Sequence, residues 1–321
     1  MFDHILVPLD GSPLAECVLP FLLPLAQAFH VRVTLLHVLE RGPARGSIQA
    51  LDLLEWDLRR VEAETYLQKI STRLREAGLQ VETALEEGQA ADGIIRYARY
   101  CNACLIALSS HGRSGLSGWN ISSTVQKVIF RAHTSSLIVP AYQPVHLDLT
   151  DLRYQRVFVA LDGSQRAEHV LPAAVKLSDY HRASLRLAHV VCRPGMPSHL
   201  PLTKVEIEMA NRIVERNQCE AEKYLRQLCS RLSSDTIDVQ ACLLVSENPI
   251  EVLHELVERE RADLVILSAH GHSSGCKWPY GSVTLSFIAY GTTPLLILQD
   301  LPPEQIAPTP AEMAAKEQPK H

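Results

Sequence analysis

Ile5-Leu6-Val7-Pro8-Leu9-Asp10-Gly11-Ser12 lies near the start of the chain, and Val157-Phe158-Val159-Ala160-Leu161-Asp162-Gly163-Ser164 repeats it 152 residues later. An apolar run that stops at Asp-Gly-Ser reads as a buried parallel strand that turns into a helix. The likeness extends outward at the same offset. Ala15-Glu16 and Val18-Leu19-Pro20 return as Ala167-Glu168 and Val170-Leu171-Pro172, and His37-Val38 returns as His189-Val190. Farther on, residues 105–114 (LIALSSHGRS) face residues 264–273 (LVILSAHGHS) at an offset of 159. The second half therefore carries seven extra residues between its second and fourth strands, and two unequal copies of one domain account for the pattern.

Each copy alternates strand and helix. In the first, strands are expected at 4–9, 31–39, 79–85, 104–109 and 136–140. Helices are expected at about 13–29, 50–77, 90–101 and up to 132. Leu54, Leu58, Val61, Leu67, Ile70 and Leu74 mark a buried stripe on the long helix. The second copy gives strands near 156–161, 184–191, 237–244, 263–268 and 295–299, and helices near 166–179, 203–232, 248–260 and 281–290. This βαβα rhythm predicts the α/β class: two tandem doubly wound parallel sheets with helices on both faces. The domains read as 1–143 and 153–300. Residues 141–155 read as a linker and 301–321 as a disordered tail rich in proline and mixed charge.

Composition narrows the function. The 321 residues suit two domains at roughly 100–200 residues each. Thirty-one basic against thirty-six acidic side chains leave a net charge of −5, which does not suit a dedicated nucleic-acid binder. No apolar run is long enough for a membrane span, and the start lacks the pattern of a signal peptide, so a cytoplasmic chain is expected. The eight scattered cysteines then read as reduced thiols. Cys101-x-x-Cys104 straddles a helix end and a strand start, a poor context for redox or zinc chemistry. GxxxxGK[ST] and GxGxxG patterns are absent, which disfavours a motor-type NTPase and a dinucleotide dehydrogenase.

In a doubly wound sheet, ligands bind beyond the carboxyl ends of the strands, near the switch in strand order. Two segments meet there: the Asp-Gly-Ser turn and the loop after the fourth strand. In the second copy that loop runs Ser268-Ala269-His270-Gly271, then nine residues, then Gly281-Ser282. The glycines allow close backbone approach, and the helix opened by Gly281-Ser282 offers free N–H groups to an anion. The Ser282 hydroxyl adds a hydrogen bond, and Asp162 can accept from ribose hydroxyls. Arg113 in the first loop and Lys277 in the second can neutralise phosphate charge. Asp10 and Asp162 also read as turn or cap residues, a role compatible with ligand binding.

These residues resemble the universal stress proteins over both copies, roughly 1–141 and 153–299. That family has a first strand ending in aspartate, then Gly-x-x-Gly, nine residues and Gly-Ser/Thr. The chain looks like a tandem member, with an adenine-nucleotide alpha-hydrolase-like fold. The resemblance implies strand order 3-2-1-4-5 and ATP, with or without Mg²⁺, over the loop after strand four. It implies adenine held near Val38 and Val190. It also implies an intramolecular pseudo-dimer packed through the fifth strands, a homodimer, and a role as a stress-response sensor or regulator. The nucleotide-binding positions are then Asp10, Val38, Ser109, His111, Gly112, Ser122 and Ser123 in the first copy. In the second they are Asp162, Val190, Ser268, His270, Gly271, Gly281 and Ser282.

The chain departs from the family pattern in both copies. Ser109 and Ser268 replace the first glycine, and Ser122 replaces the third in the first copy only. A serine forbids inexpensive positive φ and takes up space near a phosphate. Trp278-Pro279-Tyr280 can crowd the second pocket or stack in it. His111 and His270 read as packed loop histidines, and His37 and His189 as satisfied core histidines. A metal at His270, His272 and Cys276 has weak support. Two rivals stay open: a nucleotide-free scaffold or small-ligand protein with degenerate sites, and a nucleotide hydrolase.

Overall fold

A computed structural model describes residues 2–40, 50–116, 120–141, 153–193, 203–272 and 279–300, with backbone alone at 50–53. The 42–46 loop, most of the expected linker, the 301–321 tail, Cys276, Lys277 and Trp278 lie outside the described residues. The chain forms two compact units: residues 1–153 with 288–296, and residues 154–287 with 297–321.

Unit 1 contains β1 (His4–Pro8), α1 (Pro13–Glu16), α2 (Leu19–Phe29), β2 (Arg32–Leu39), α3 (Ala50–Glu76), β3 (Gln80–Glu87), α4 (Ala90–Tyr100), β4 (Leu105–Ser109), α5 (Ser123–Ala132) and β5 (Ser135–Val139). The second repeat supplies β6 (Arg156–Leu161), α6 (Gln165–Glu168), α7 (Leu171–His181), β7 (Ser184–Cys192), α8 (Lys204–Leu232), β8 (Val239–Ser246), α9 (Pro249–Arg259), β9 (Leu264–Ser268), α10 (Ser282–Tyr290) and β10 (Leu295–Leu298). Strand order is β3-β2-β1-β4-β5 in the first repeat and β8-β7-β6-β9-β10 in the second, the expected 3-2-1-4-5 in each. Each strand pair for which the register is resolved is parallel. The central strands β1, β4 and β9 are apolar and buried because helices cover both faces.

The helix expected over 13–29 is two helices, and the same break falls between α6 and α7. Proline explains both. Pro20 has no N–H to bond back to Glu16, and its ring crowds that carbonyl, so α1 ends at Glu16. Pro20 is instead welcome in the first turn of α2, as Pro172 is in α7.

The stripe on α3 is correct only in its second half. Leu67, Ile70 and Leu74 are buried, whereas Leu54, Leu58 and Val61 are 59%, 55% and 58% exposed. Length is the cause. Twenty-seven helical residues span about 40 Å, while the eight-residue strands β2 and β3 span about 26 Å. The first turns of α3 therefore overhang the carboxyl edge of the sheet.

Candidate functional site

Asp10 ends β1 and ties two distant segments together. Its Oδ1 accepts from Ser12 N at 2.9 Å, and its Oδ2 accepts from Arg113 N at 2.5 Å. Asp162 repeats the arrangement with Ser164 N at 3.0 Å and His272 N at 2.6 Å. Each aspartate thus forms the local turn and also clamps the loop after the fourth strand. Burial pushes the Asp162 carboxyl up, but hydrogen bonds from Ser164 and His272 outweigh it and hold the group below the usual range. Each carboxylate oxygen keeps capacity for a ligand donor.

The clamp explains the glycines. A Cβ at Gly112 would fall on the Asp10 carboxylate, and one at Gly271 on the Asp162 carboxylate. Positive φ belongs to the turn glycines Gly11 and Gly163, at 81° each, and not to Gly112, Gly271 or Gly281. Close approach, not left-handed backbone, requires Gly112 and Gly271. A Cβ at Gly281 would meet nothing nearer than 3.7 Å. Within the protein itself, therefore, a side chain at this position meets no clash. Ser122 N donates to Ser110 O at 2.8 Å, as Gly281 N does to Ala269 O at 2.7 Å. The Ser122 hydroxyl caps α5 by accepting from Val125 N at 3.3 Å.

In unit 1 a cavity of about 890 Å³ opens at the carboxyl edge, a size suited to a small-molecule ligand. Asp10, Val38, Ser109, His111, Gly112 and Ser122 all line it, together with Arg113. Ser123 is the first residue of α5. Val38 packs on Gly93 of α4, where a Cβ would come within 2.8 Å. The α3 side of the cavity is lined by Arg59, Glu62, Ala63 and Tyr66. In unit 2 the corresponding residues are Asp162 just after β6, Val190 in β7, Ser268 at the end of β9 with His270 and Gly271 beyond it, and Gly281-Ser282 at the start of α10. Tyr280 is buried there. Among the described residues no three His, Cys, Asp or Glu side chains cluster to hold a metal ion.

His111 and His270 are both buried and both hydrogen-bonded, through different partners. His111 Nδ1 lies 3.0 Å from Ser110 Oγ, which also accepts from Ala141 N at 2.9 Å. His270 Nδ1 lies 2.8 Å from Asp300 Oδ1, with side-chain exposures of 0% and 2%. Arg166 Nε stands 3.7 Å from Asp300 Oδ2.

With the site described, relatives can be placed against it. A model of the universal stress protein family matches residues 1–140 and again residues 153–299. The chain belongs to the universal stress protein family. It is a tandem member, since the match occurs twice. Universal stress protein MJ0531 of Methanocaldococcus jannaschii is 26% identical over 144 residues, covering 43% of this chain and 82% of the relative. Universal stress protein YxiE of Bacillus subtilis is 26% identical over 136 residues, 40% of this chain and 92% of that protein. A universal stress protein crystal structure from Archaeoglobus fulgidus superposes with a TM-score of 0.64 at 19% identity, covering 92% of this chain and 96% of the other. That structural likeness bears on the fold.

This universal stress protein also holds residues that the motifs did not disclose. His37 and His189 each bond a backbone group of the neighbouring strand, at Leu9 and Leu161, and leave Nδ1 without a partner among the described residues. Burial pushes both below the usual histidine range. Tyr66 faces His37 edge-on at 6.5 Å between ring centres, and Tyr224 faces His189 at 6.2 Å. Burial first, then the nearby Glu16 or Glu168 carboxylate, pushes both phenols up. Arg73 stands 3.7 Å from Glu16, and Arg231 3.3 Å from Glu168. The repeat could have revealed these groups, because Tyr66 and Arg73 recur 158 residues later as Tyr224 and Arg231. Asp300 carries no such signal, since its counterpart 159 residues earlier is Ala141.

Proposed function

We propose that this tandem universal stress protein binds an adenine nucleotide, ATP with or without Mg²⁺, in one or both domains (1–143 and 153–300), and acts as a stress-response sensor or regulator. One observation carries the reading. The Asp10 clamp presents the Gly112 backbone and the start of α5 to an open cavity of about 890 Å³. Amides at a helix start attract phosphate, and Asp10 suits sugar hydroxyls. Val38 offers an apolar wall for a base. Catalysis is not part of the proposal.

The test is calorimetric titration of the nucleotide-free chain with ATP and Mg²⁺, beside chromatography of any nucleotide released on denaturation. Saturable binding, weakened at least tenfold by Gly112→Val or Gly271→Val, supports the reading. No heat at millimolar ATP favours a nucleotide-free interaction protein. A specific observation speaks for that rival: Leu54, Leu58 and Val61 on α3, and Val205, Met209 and Ile213 on α8, are exposed.

A further inference from the structure

Two helices carry an apolar stripe that their own repeat does not bury. On α3 it is Leu54, Leu58 and Val61, and on α8 it is Val205, Met209 and Ile213, each at least 48% exposed. Single apolar side chains are ordinary on a surface, but three in line along one helix make a patch, and a patch marks a contact. Phase explains why neither stripe turns inward. At about 100° per residue, the α3 stripe points roughly 180° away from the buried Ala63, Leu67, Ile70 and Leu74. That buried face packs on β2 and β3. The α8 stripe points about 130° away from the buried Ala221, Leu225 and Leu228, on the helix that covers β7 and β8.

Charge selects the occupant. Residues three or four apart on a helix are neighbours, so Asp57 borders Leu54 and Val61, Glu55 and Glu62 border Leu58, and Glu64 borders Val61. The α3 stripe thus has acidic groups on both flanks. Arg59 and Arg60, the basic residues of these turns, are tied to Glu55 at 2.6 Å and to Glu64 at 3.1 Å. The α8 stripe has the opposite rim. Arg212 borders Met209, and Arg216 borders Ile213 while standing 3.0 Å from Glu220. Glu206 and Glu208 temper this only at the first turn, where Glu206 is occupied in the capping box with Thr203.

We propose that α3 of one copy docks on α8 of a second copy of this chain. Leu54, Leu58 and Val61 pack against Val205, Met209 and Ile213, and Arg212 and Arg216 face the acidic rim. Rows of side chains three and four residues apart are what helices interdigitate when they pack. The rim also rejects other occupants. Like charges oppose a pairing of α3 with a second α3, and an anionic lipid surface repels the same carboxylates. The surface is separate from the fifth strands, since α3 and α8 cover the second and third strands of their repeats. One helix pair of about four turns is smaller than a standard interface, so the association is micromolar and reversible. It does not depend on whether the cavity takes a nucleotide.

Sedimentation equilibrium of the full chain, from low micromolar to about 200 μM, tests this. The wild-type chain should associate as its concentration rises. Leu58→Asp and Met209→Asp should each weaken association at least about tenfold. Both positions are exposed, so the melting temperature should stay within about two degrees of the wild type. Charge reversal adds a sharper arm. Asp57→Arg with Glu64→Arg, and Arg212→Glu with Arg216→Glu, should each associate poorly alone, because like charges then meet. An equimolar mixture of these two double variants restores opposite charges across the contact and should associate as the wild type does. A wild-type chain that stays monomeric throughout overturns the inference. Association that Leu58→Asp and Met209→Asp leave undiminished overturns it as well, and so does a mixture that associates no better than its components. Co-sedimentation of a monomeric chain with phosphatidylserine vesicles, lost in Leu58→Asp, would assign the stripe to a membrane surface instead.

Discussion

The two copies hold the loop after their fourth strand by different means. The first ties His111 to the Ser110 hydroxyl, a neutral contact that also takes up the Ala141 amide. The second ties His270 to a buried carboxylate, Asp300, with Arg166 alongside. The backbone bond that follows is the same: Ser110 N donates to Val139 O and Ala269 N to Leu298 O, each at 2.8 Å. A duplicated fold can thus keep its geometry while changing what that geometry costs to disturb. A neutral pair loses a modest hydrogen bond when one member goes. A buried charge that loses its partner is left stranded.

The largest expected effect tests that contrast directly. His270→Ala should destabilise its unit by about 2–3 kcal/mol, because Asp300 loses its hydrogen-bonded neighbour and keeps only Arg166, 3.7 Å away. His111→Ala should cost about 1–2 kcal/mol in the first. Denaturant melts of the full chain, with a reporter in each unit, measure both. Equal losses would erase the distinction.

The next prediction concerns what the copies share. Gly112→Ala and Gly271→Ala each push a Cβ onto the clamping carboxylate and should each cost about 1–3 kcal/mol. Similar melting shifts in the two units would confirm a common clamp. A shift in one alone would mean that only that unit depends on it.

Acid should weaken both copies. Burial holds His4 and His37 in the first, and His189 and His254 in the second, below the usual histidine range. The unfolded chain binds these protons first, so stability is complete above about pH 6.5 and declines as pH falls from there towards the folded-state values. The melting temperature should drop between pH 7 and pH 5. His37→Phe with His189→Phe should flatten that dependence, and an unaltered slope would refute the assignment.

The smallest expected effect is an exchange. Ser122→Gly and Gly281→Ser should each change stability by less than about 1 kcal/mol, since the position has room for a Cβ and Ser122 gains only a cap. A clear loss from Gly281→Ser would show that the copies differ more in this loop than their hydrogen bonds suggest.

Much of this was legible in the amino-acid order because the fold is written twice. Asp-Gly-Ser at 10–12 and 162–164 marks the strand end, the turn and the helix start at once, and tertiary structure agrees with each. Pro20 and Pro172 marked the helix breaks too, but the apolar period across residues 13–29 masked them. Leu54, Leu58 and Val61 misled for a different reason. Periodicity finds a stripe on a helix without finding how far the sheet beneath it extends. The role of Gly112 was hidden because a glycine kept for a neighbour's carboxylate looks the same as one kept for its own backbone angle. Asp300 sits past the last strand, where no alternation marks it.

The aspartate clamp joins residues 103 positions apart in one copy and 110 in the other. A nascent chain that has emerged only through its third strand therefore holds half a cradle. The clamp closes only when the fourth strand has docked and its loop has been drawn back over the opening turn. Each cradle is thus a long-range construction, made only when distant parts of its repeat have come together.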